Sequence, residues 1–443
     1  MGNKTFFISL FILMVITGCT KSVKYPETPV QKEPEPEQPA EPEVKLDYDQ
    51  ISLEIIHIQQ LDEKAGPFNT YNPKFSFDES YIAVEVNLDT FNKIYIYRIN
   101  SGELPDDFAF MIQKVQEVYL AESHDEKIIE DFFRSSFQES FNYEFNWFPA
   151  SSSYLFTSNA GIGEYNIFIG SVEPEDFTLE AIQQSIHPKS FGDYFMMTEE
   201  VKKDGQASVS PDGTKIAFTS GRTGNGDLYL LNLVKGDLKR LTYSEDTDFF
   251  PRWSPDSRDI VYTTGGKHSH DIHIIRNAGK ENEYNEVLIK WFFDDVLPAY
   301  SPDGEKISFY TTYNKERDPF NTKRWALMII PSDGSAPQAG KELIKYFHMP
   351  DIVKDNTQGT AWFPDSTHII LAKNIDRDYN PIYIYNTETR QESLVETGTN
   401  INHDISVSSN GLISFRAQVL GWDRIFIAVS TYFQEYRREK YQN

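Results

Sequence analysis

One short phrase recurs along this chain and limits what the chain can fold into. Val209-Ser210-Pro211-Asp212-Gly213, Trp253-Ser254-Pro255-Asp256-Ser257 and Tyr300-Ser301-Pro302-Asp303-Gly304 are its plainest copies, with Trp362-Phe363-Pro364-Asp365-Ser366 a near variant. Phe75-Ser76-Phe77-Asp78, Trp147-Phe148-Pro149-Ala150 and Val407-Ser408-Ser409-Asn410 are weaker copies. After each comes an apolar run, from Ile82-Ala83-Val84 in the first to Leu412-Ile413-Ser414-Phe415 in the last. A third run then recurs, from Ile94-Tyr95-Ile96 to Ile425-Phe426-Ile427. Proline presets φ at the first turn position, aspartate bonds locally, and glycine accepts positive φ, so each phrase reads as a tight turn between strands. Runs that are apolar on both faces must be covered on both faces, and stacked blades of a propeller do this.

The seven copies are spaced 44 to 72 residues apart at the aspartate position. The shorter spacings suit a four-stranded blade and the longer ones imply insertions. The pattern predicts an all-β chain: a β-propeller of seven four-stranded blades, six being the alternative, with partly helical insertions. Met111, Ile112, Val115 and Val118 have helical spacing within the 103–140 insertion. The last copy supplies three strands, ending near Val429, and an orphan strand, Ile51 to Leu61, precedes the first copy. Their pairing would close the ring and remove an open edge. The phrases resemble the TolB-like repeat, a WD-repeat-like family, across residues 51–430. TolB itself has six blades behind an α/β domain, whereas this chain has seven copies behind a proline-rich stretch.

Ahead of the repeats, Lys4 precedes the apolar run Phe6 to Ile16 and then Ile16-Thr17-Gly18-Cys19. The run is shorter than the ~20 residues that span a bilayer, so it reads as a cleaved signal. The residues around Cys19 resemble a bacterial lipobox. That resemblance implies diacylglycerol on the Cys19 thiol, cleavage before it and acylation (palmitate is typical) of the new amine. Thr20, where Asp would retain a lipoprotein in the inner membrane, points to the outer membrane. Six prolines from Pro26 to Pro42 alternate with glutamates, which favours an extended, self-repelling tether. The organisation expected is therefore a signal over 1–18, lipidated Cys19 with a tether over 19–49, and a propeller over 50–443. Cys19 is the sole cysteine, so no intramolecular disulfide forms.

The formal net charge of −25 argues against nucleic acid and anionic lipid as direct partners, leaving the lipid anchor as the membrane contact. The turn residues Asp212, Asp256, Asp303 and Asp365 recur with the period, which is the mark of a structural role. His268, His270 and His273 suggest a metal, but His273 occupies a slot filled by Tyr95, Phe168 and Tyr229 in other copies. Eight residues before each turn aspartate or its equivalent stand Thr70, Asn142, Asp204, Asp248, Asp295, Thr357 and Asn402. They either cap turns entering the inner strands or ring the axial mouth and hold a cation or polar ligand there. The loop 312–324 returns to the same face with Lys315, Arg317, Lys323, Arg324, Tyr313 and Phe320. The expected recognition surface is this mouth face, centred on Asp204, Asp248, Asp295, Asn402, Arg317 and Arg324, with the turn face merely solvated.

No G-x-S-x-G elbow, H-E-x-x-H pair or glycine-rich phosphate loop occurs, and 14 residues follow Val429, too few for a hydrolase domain. The leading expectation is an envelope-tethered, non-catalytic binding or scaffold lipoprotein with a protein or glycan partner and no bound cofactor. The alternative is a metal-assisted polysaccharide lyase or related carbohydrate-active enzyme, since oligogalacturonate lyases have similar repeats on seven blades, with histidines and a glutamine around a metal.

Overall fold

The computed structural model describes residues 46–62, 66–88, 92–100, 110–118, 142–160, 164–173, 175–191, 193–198, 202–266, 269–313, 325–354 and 359–442. Their strands form seven antiparallel sheets, each ordered from an inner strand outward. The inner strands are Asn69–Phe75, Asn142–Trp147, Asp204–Val209, Thr247–Trp253, Asp295–Tyr300, Ala361–Trp362 and Asn402–Val407. Six sheets have four strands; the second has five, because the hairpin of Lys189–Phe191 and Tyr194–Met196 adds to it. The protein is a seven-bladed propeller. Its second and third strands are buried on both faces, and the core lies between blades rather than at one centre. Ile274, Ile307, Phe309 and Met328 knit the fourth blade to the fifth, and Phe148, Leu155, Ile216 and Phe218 the second to the third.

Closure is as the sequence predicts. Ile55–Gln60 pairs antiparallel with Trp422–Ser430, placing Ile58 opposite Ala428 and Gln60 opposite Phe426. The Leu61 amide adds a bond of 2.8 Å to the Ile425 carbonyl. The seventh blade then abuts the first, where the Thr70 hydroxyl donates to the Asp423 carbonyl at 3.0 Å.

The turn aspartates are structural. In four copies the serine two places earlier donates to the aspartate Oδ1. The backbone N–H two residues after Asp78, Asp212, Asp256, Asp303 and Asp365 donates there too. Turns also stitch blade to blade. The residue after the aspartate has positive φ, met by Gly213 and Gly304 without strain and by Ser257, Ser366 and Glu79 at φ of 57–61°. Asp212 donates its amide to Ser257 Oγ and Asp303 to Ser366 Oγ, both at 2.9 Å; Asn410 donates to Glu79 at 3.2 Å.

Two α-helices occur among the described residues. α1, Phe177–Ile186, is capped by Asp176, whose carboxylate accepts from the Thr178 and Leu179 amides. α2, Thr431–Gln442, continues from the last strand; Tyr432 packs on Phe363 and Tyr48 and donates to Asp365 at 2.8 Å. One expectation needs correcting. Of the insertion 103–140, residues 110–118 are described, and Met111–Val118 is the outer strand of the first blade, not helix. A register shift between its pairs with Ile96 and Tyr97 changes the alternation. Ile112 therefore packs into one inter-blade cluster and Val115 and Val118 into the other, which imitates helical spacing.

Candidate functional site

The axis is built from one repeated irregularity. Six residues before the turn aspartate or its equivalent in six of the seven copies, Asn72, Glu144, Gln206, Phe250, Leu297 and Asp404 all have φ between 47° and 58°. Each marks a bulge at which the inner strand loses register with its neighbour. A left-handed residue turns its amide out of the ladder, and the preceding blade supplies an acceptor. Glu144 donates to Glu85 (2.9 Å), Gln206 to Glu144 (2.5 Å), Phe250 to the Gln206 side chain (3.3 Å) and Leu297 to Thr263 (3.2 Å). Gly205 leaves room for this, since a Cβ there would lie 2.8 Å from Glu144 Oε2. Asn72 also bonds Glu85, and Thr157 bonds Glu144. The polar belt is thus a set of inter-blade ties.

Two residues further on, four before the turn aspartate, come Lys74, Asn146, Ser208, Arg252, Ala299, Ala361 and Ser406. All of these but Ala299, with Phe77, Trp147, Thr360 and Trp362, help line a cavity of about 450 Å³ at the turn end of the axis. Lys74 donates to Asn146 at 3.2 Å, and burial together with Arg252 holds its amine below the usual lysine range. Burial likewise lowers Arg252 and raises Glu85. The tryptophans reach back one blade: Trp147 donates to the Lys74 carbonyl (3.0 Å), Trp253 to that of Ser208 (3.1 Å) and Trp362 to the Ser308 hydroxyl (3.0 Å). The sequence does not single out Lys74 or Arg252, because their position has no common chemistry. A cation inside an inner strand was the available signal.

At the other end of the axis stand the residues expected at the mouth. Asp204, Asp295, Asn142 and Asn402 are fully buried and Asp248 and Thr70 nearly so. Asp204 pairs with Arg222 at 3.0 Å, and Asp248 accepts from Ser244 at 3.2 Å. Asp295 accepts from the Trp291 indole at 2.6 Å; Asn142 donates to the Asn92 carbonyl and Asn402 to that of Asn380. Burial raises Asp248 and Asp295 above the usual carboxylate range. The structure brings these side chains against the loops entering the inner strands. Thr357, Arg317 and Arg324, with Lys315, Phe320 and Lys323, lie outside the described residues. Tyr313, read as part of an exposed patch, is instead buried among Trp291, Phe293 and Phe347. Beside it Phe292 is 95% exposed, and Leu420 and Tyr243, also on loops at this end, are 96% and 72% exposed.

Of the histidines, His268 lies outside the described residues. His270 bonds Asp294 at 2.7 Å, while His273 stacks edge-on against Tyr262 at 5.7 Å in the aromatic slot. Among the described residues no group of three His, Cys, Asp or Glu side chains is placed to hold a metal. Burial lowers His273 to about 4, and its Nε2 has no partner among the described residues. The unfolded chain, near 6.5, takes up a proton first, so stability present above pH 6.5 is lost as pH falls to 4. His273→Phe should therefore stabilise by up to ~2 kcal/mol at pH 5 and little at pH 8. Equal urea midpoints for the two proteins at pH 5 would contradict this.

Comparison with known proteins agrees with the geometry. The TolB beta propeller domain model matches residues 189–338. A protein TolB homolog of Chlorobium luteolum is 38% identical over 102 residues, 23% of this chain, and the chain spans about a fifth (22%) of that relative's length. Among solved structures, a puromycin-hydrolysing peptidase of Mycobacterium tuberculosis has a TM-score of 0.55 at 9% identity, covering 83% of this chain and 52% of that one, a likeness of fold alone. A putative TolB from Agrobacterium tumefaciens gives 0.40 at 18% identity, covering 62% of this chain and 84% of that one. An oligogalacturonate lyase from Vibrio parahaemolyticus gives 0.49 at 13%, covering 85% and 97%. Residues 189–338 match the TolB beta propeller domain, and they lie within a chain that is a seven-bladed propeller.

Proposed function

We propose that this chain is an envelope-tethered binding lipoprotein that presents its propeller to a protein or glycan partner and performs no chemistry on it. The observation that carries this reading is the display of Phe292, Leu420 and Tyr243 on mouth-face loops of a rigid ring. Large apolar side chains held out at loop tips by a stiff scaffold suit recognition better than they suit solvent. Arg317 and Arg324 would add charge to that face, and Asp204, Asp248, Asp295 and Asn402 would hold the strand starts behind it, beside any cation or polar ligand bound there. A TolB homologue among the relatives favours the cell envelope as the setting. Among the described residues no helix is long and apolar enough to cross a membrane. In this reading the outer membrane is reached through acylated Cys19, after removal of 1–18, with 19–49 as the tether.

The test is crosslinking in native envelopes. The full chain should capture a defined partner, and Phe292→Asp with Leu420→Asp should abolish capture while leaving the melting curve unchanged. Cys19→Ser should remove fatty-acid label and membrane association together. Label persisting in that variant overturns lipidation, and capture persisting in the double variant overturns the mouth face. Polysaccharide cleavage that appears on adding divalent metal would instead establish the lyase reading.

A further inference from the structure

The cavity at the turn end of the axis lies opposite the mouth face and has a chemistry of its own. Among the described residues its lining contains two cations, Lys74 and Arg252, and no carboxylate, in a chain whose net charge is −25. The nearby carboxylates Glu85 and Glu144 stand behind the lining, engaged with the amides of the next blade. The Thr360 hydroxyl, 7% exposed, borders the cavity and has no hydrogen-bond partner among the described residues. Trp147, Trp362 and the half-exposed Phe77 make its walls.

We propose that this cavity is a carboxylate-binding site that takes an acidic, extended segment of a protein partner. Arg252 offers a planar fork matched to a carboxylate, and Lys74 a point charge beside it. Held below the ordinary lysine range by burial and by Arg252, Lys74 gains most from an arriving anion. A peptide fits better than a sugar because each inner strand is the edge of its sheet, paired on one side only. Backbone N–H and C=O groups on that free edge face the axis and can meet a second main chain. The aromatic walls cover the aliphatic stems of the segment.

This site is separate from the mouth face, so the two readings fail separately. The probe is fluorescein-labelled hexaglutamate with an amidated end, titrated by anisotropy into the full chain in detergent. Saturable binding that weakens with salt is expected, with hexaglutamine unable to compete. Arg252→Gln should weaken it at least tenfold. Ser406→Glu, which keeps both cations and adds a carboxylate to the lining, should do the same and guards against misfolding of the first variant. Lys341→Gln, on an exposed loop, should change nothing. A free-acid hexaglutamate that binds tighter than the amide assigns the site to a chain terminus, and equal binding assigns it to side chains; both support the proposal. A uronate oligomer of equal charge that outcompetes the peptide overturns it in favour of a glycan. Binding that is absent, or unmoved by both variants, overturns it outright while leaving capture through Phe292 and Leu420 intact.

Discussion

Deleting residues 51–61 should leave a chain that no longer melts cooperatively, whereas deleting 22–44 should keep the melting temperature within about 2 °C. The short strand Ile55–Gln60 completes the seventh sheet, and Ile51, Leu53, Ile55 and Ile58 pack on Ile413, Phe415 and Tyr432. Leu61 is buried beside Ile425 and Ile427. Burying each such side chain contributes about 1.5–3 kcal/mol, less where burial is partial, so the strand contributes on the order of 5–10 kcal/mol. That is comparable with the whole stability of an ordinary domain. Its loss also exposes the backbone edge of Trp422–Ser430 next to the junction with the first blade, an invitation to aggregation. Differential scanning calorimetry of both deletions decides the matter. A cooperative transition within a few degrees of the parent for the 51–61 deletion would mean that the ring does not depend on this closure.

The blades were legible because their constraint is local chemistry. A Ser-Pro-Asp turn names its own geometry, and the runs after it can be covered on both faces only by other blades. The closing strand was legible by accounting: three strands at one end, one at the other. The bulge was invisible, and with it the construction of the axis. Its positive φ is met in turn by Asn72, Glu144, Gln206, Phe250, Leu297 and Asp404, which share nothing a reader could align. Non-glycine residues tolerate that conformation at roughly 1–2 kcal/mol when the surroundings demand it, so the backbone leaves no signature in composition. The outer strand Met111–Val118 was misread for a related reason, since a bulge in a strand breaks the period of two on which the reading relies.

The candidate sites divide along the same line. The residues expected at the mouth come from counting back from the turns, and those that are described lie at the start of the inner strands. Their hydrogen bonds could not be found that way, because Arg222, Trp291 and Asn380 come from intervening loops. Lys74 and Arg252 were missed because a basic residue in a strand reads as solvated. Only the ring closure turns those two positions toward one cavity from blades one and four.

Glu144→Ala should be the most destabilising single change at the axis, by about 3–5 kcal/mol in urea denaturation. Its carboxylate is the acceptor for the Gln206 amide and the Thr157 hydroxyl, and it offsets the charges of Lys74 and Arg252. Alanine removes all of these together and leaves buried donors and cations uncompensated. Glu144→Gln keeps an acceptor but not the charge, and should cost less. Glu117→Ala is the contrast: its carboxylate pairs with Lys93 and Lys114 at the surface, and its loss should cost no more than about 1 kcal/mol. Gly205 supplies the sharper test. Gly205→Ala pushes a methyl to within 2.8 Å of Glu144 Oε2 and should destabilise the parent. In the Glu144→Ala background that oxygen is gone, so the second substitution should cost at least about 1 kcal/mol less than it does alone. Additive costs would show that the two residues do not share the space, and that the axis is held by something other than this carboxylate.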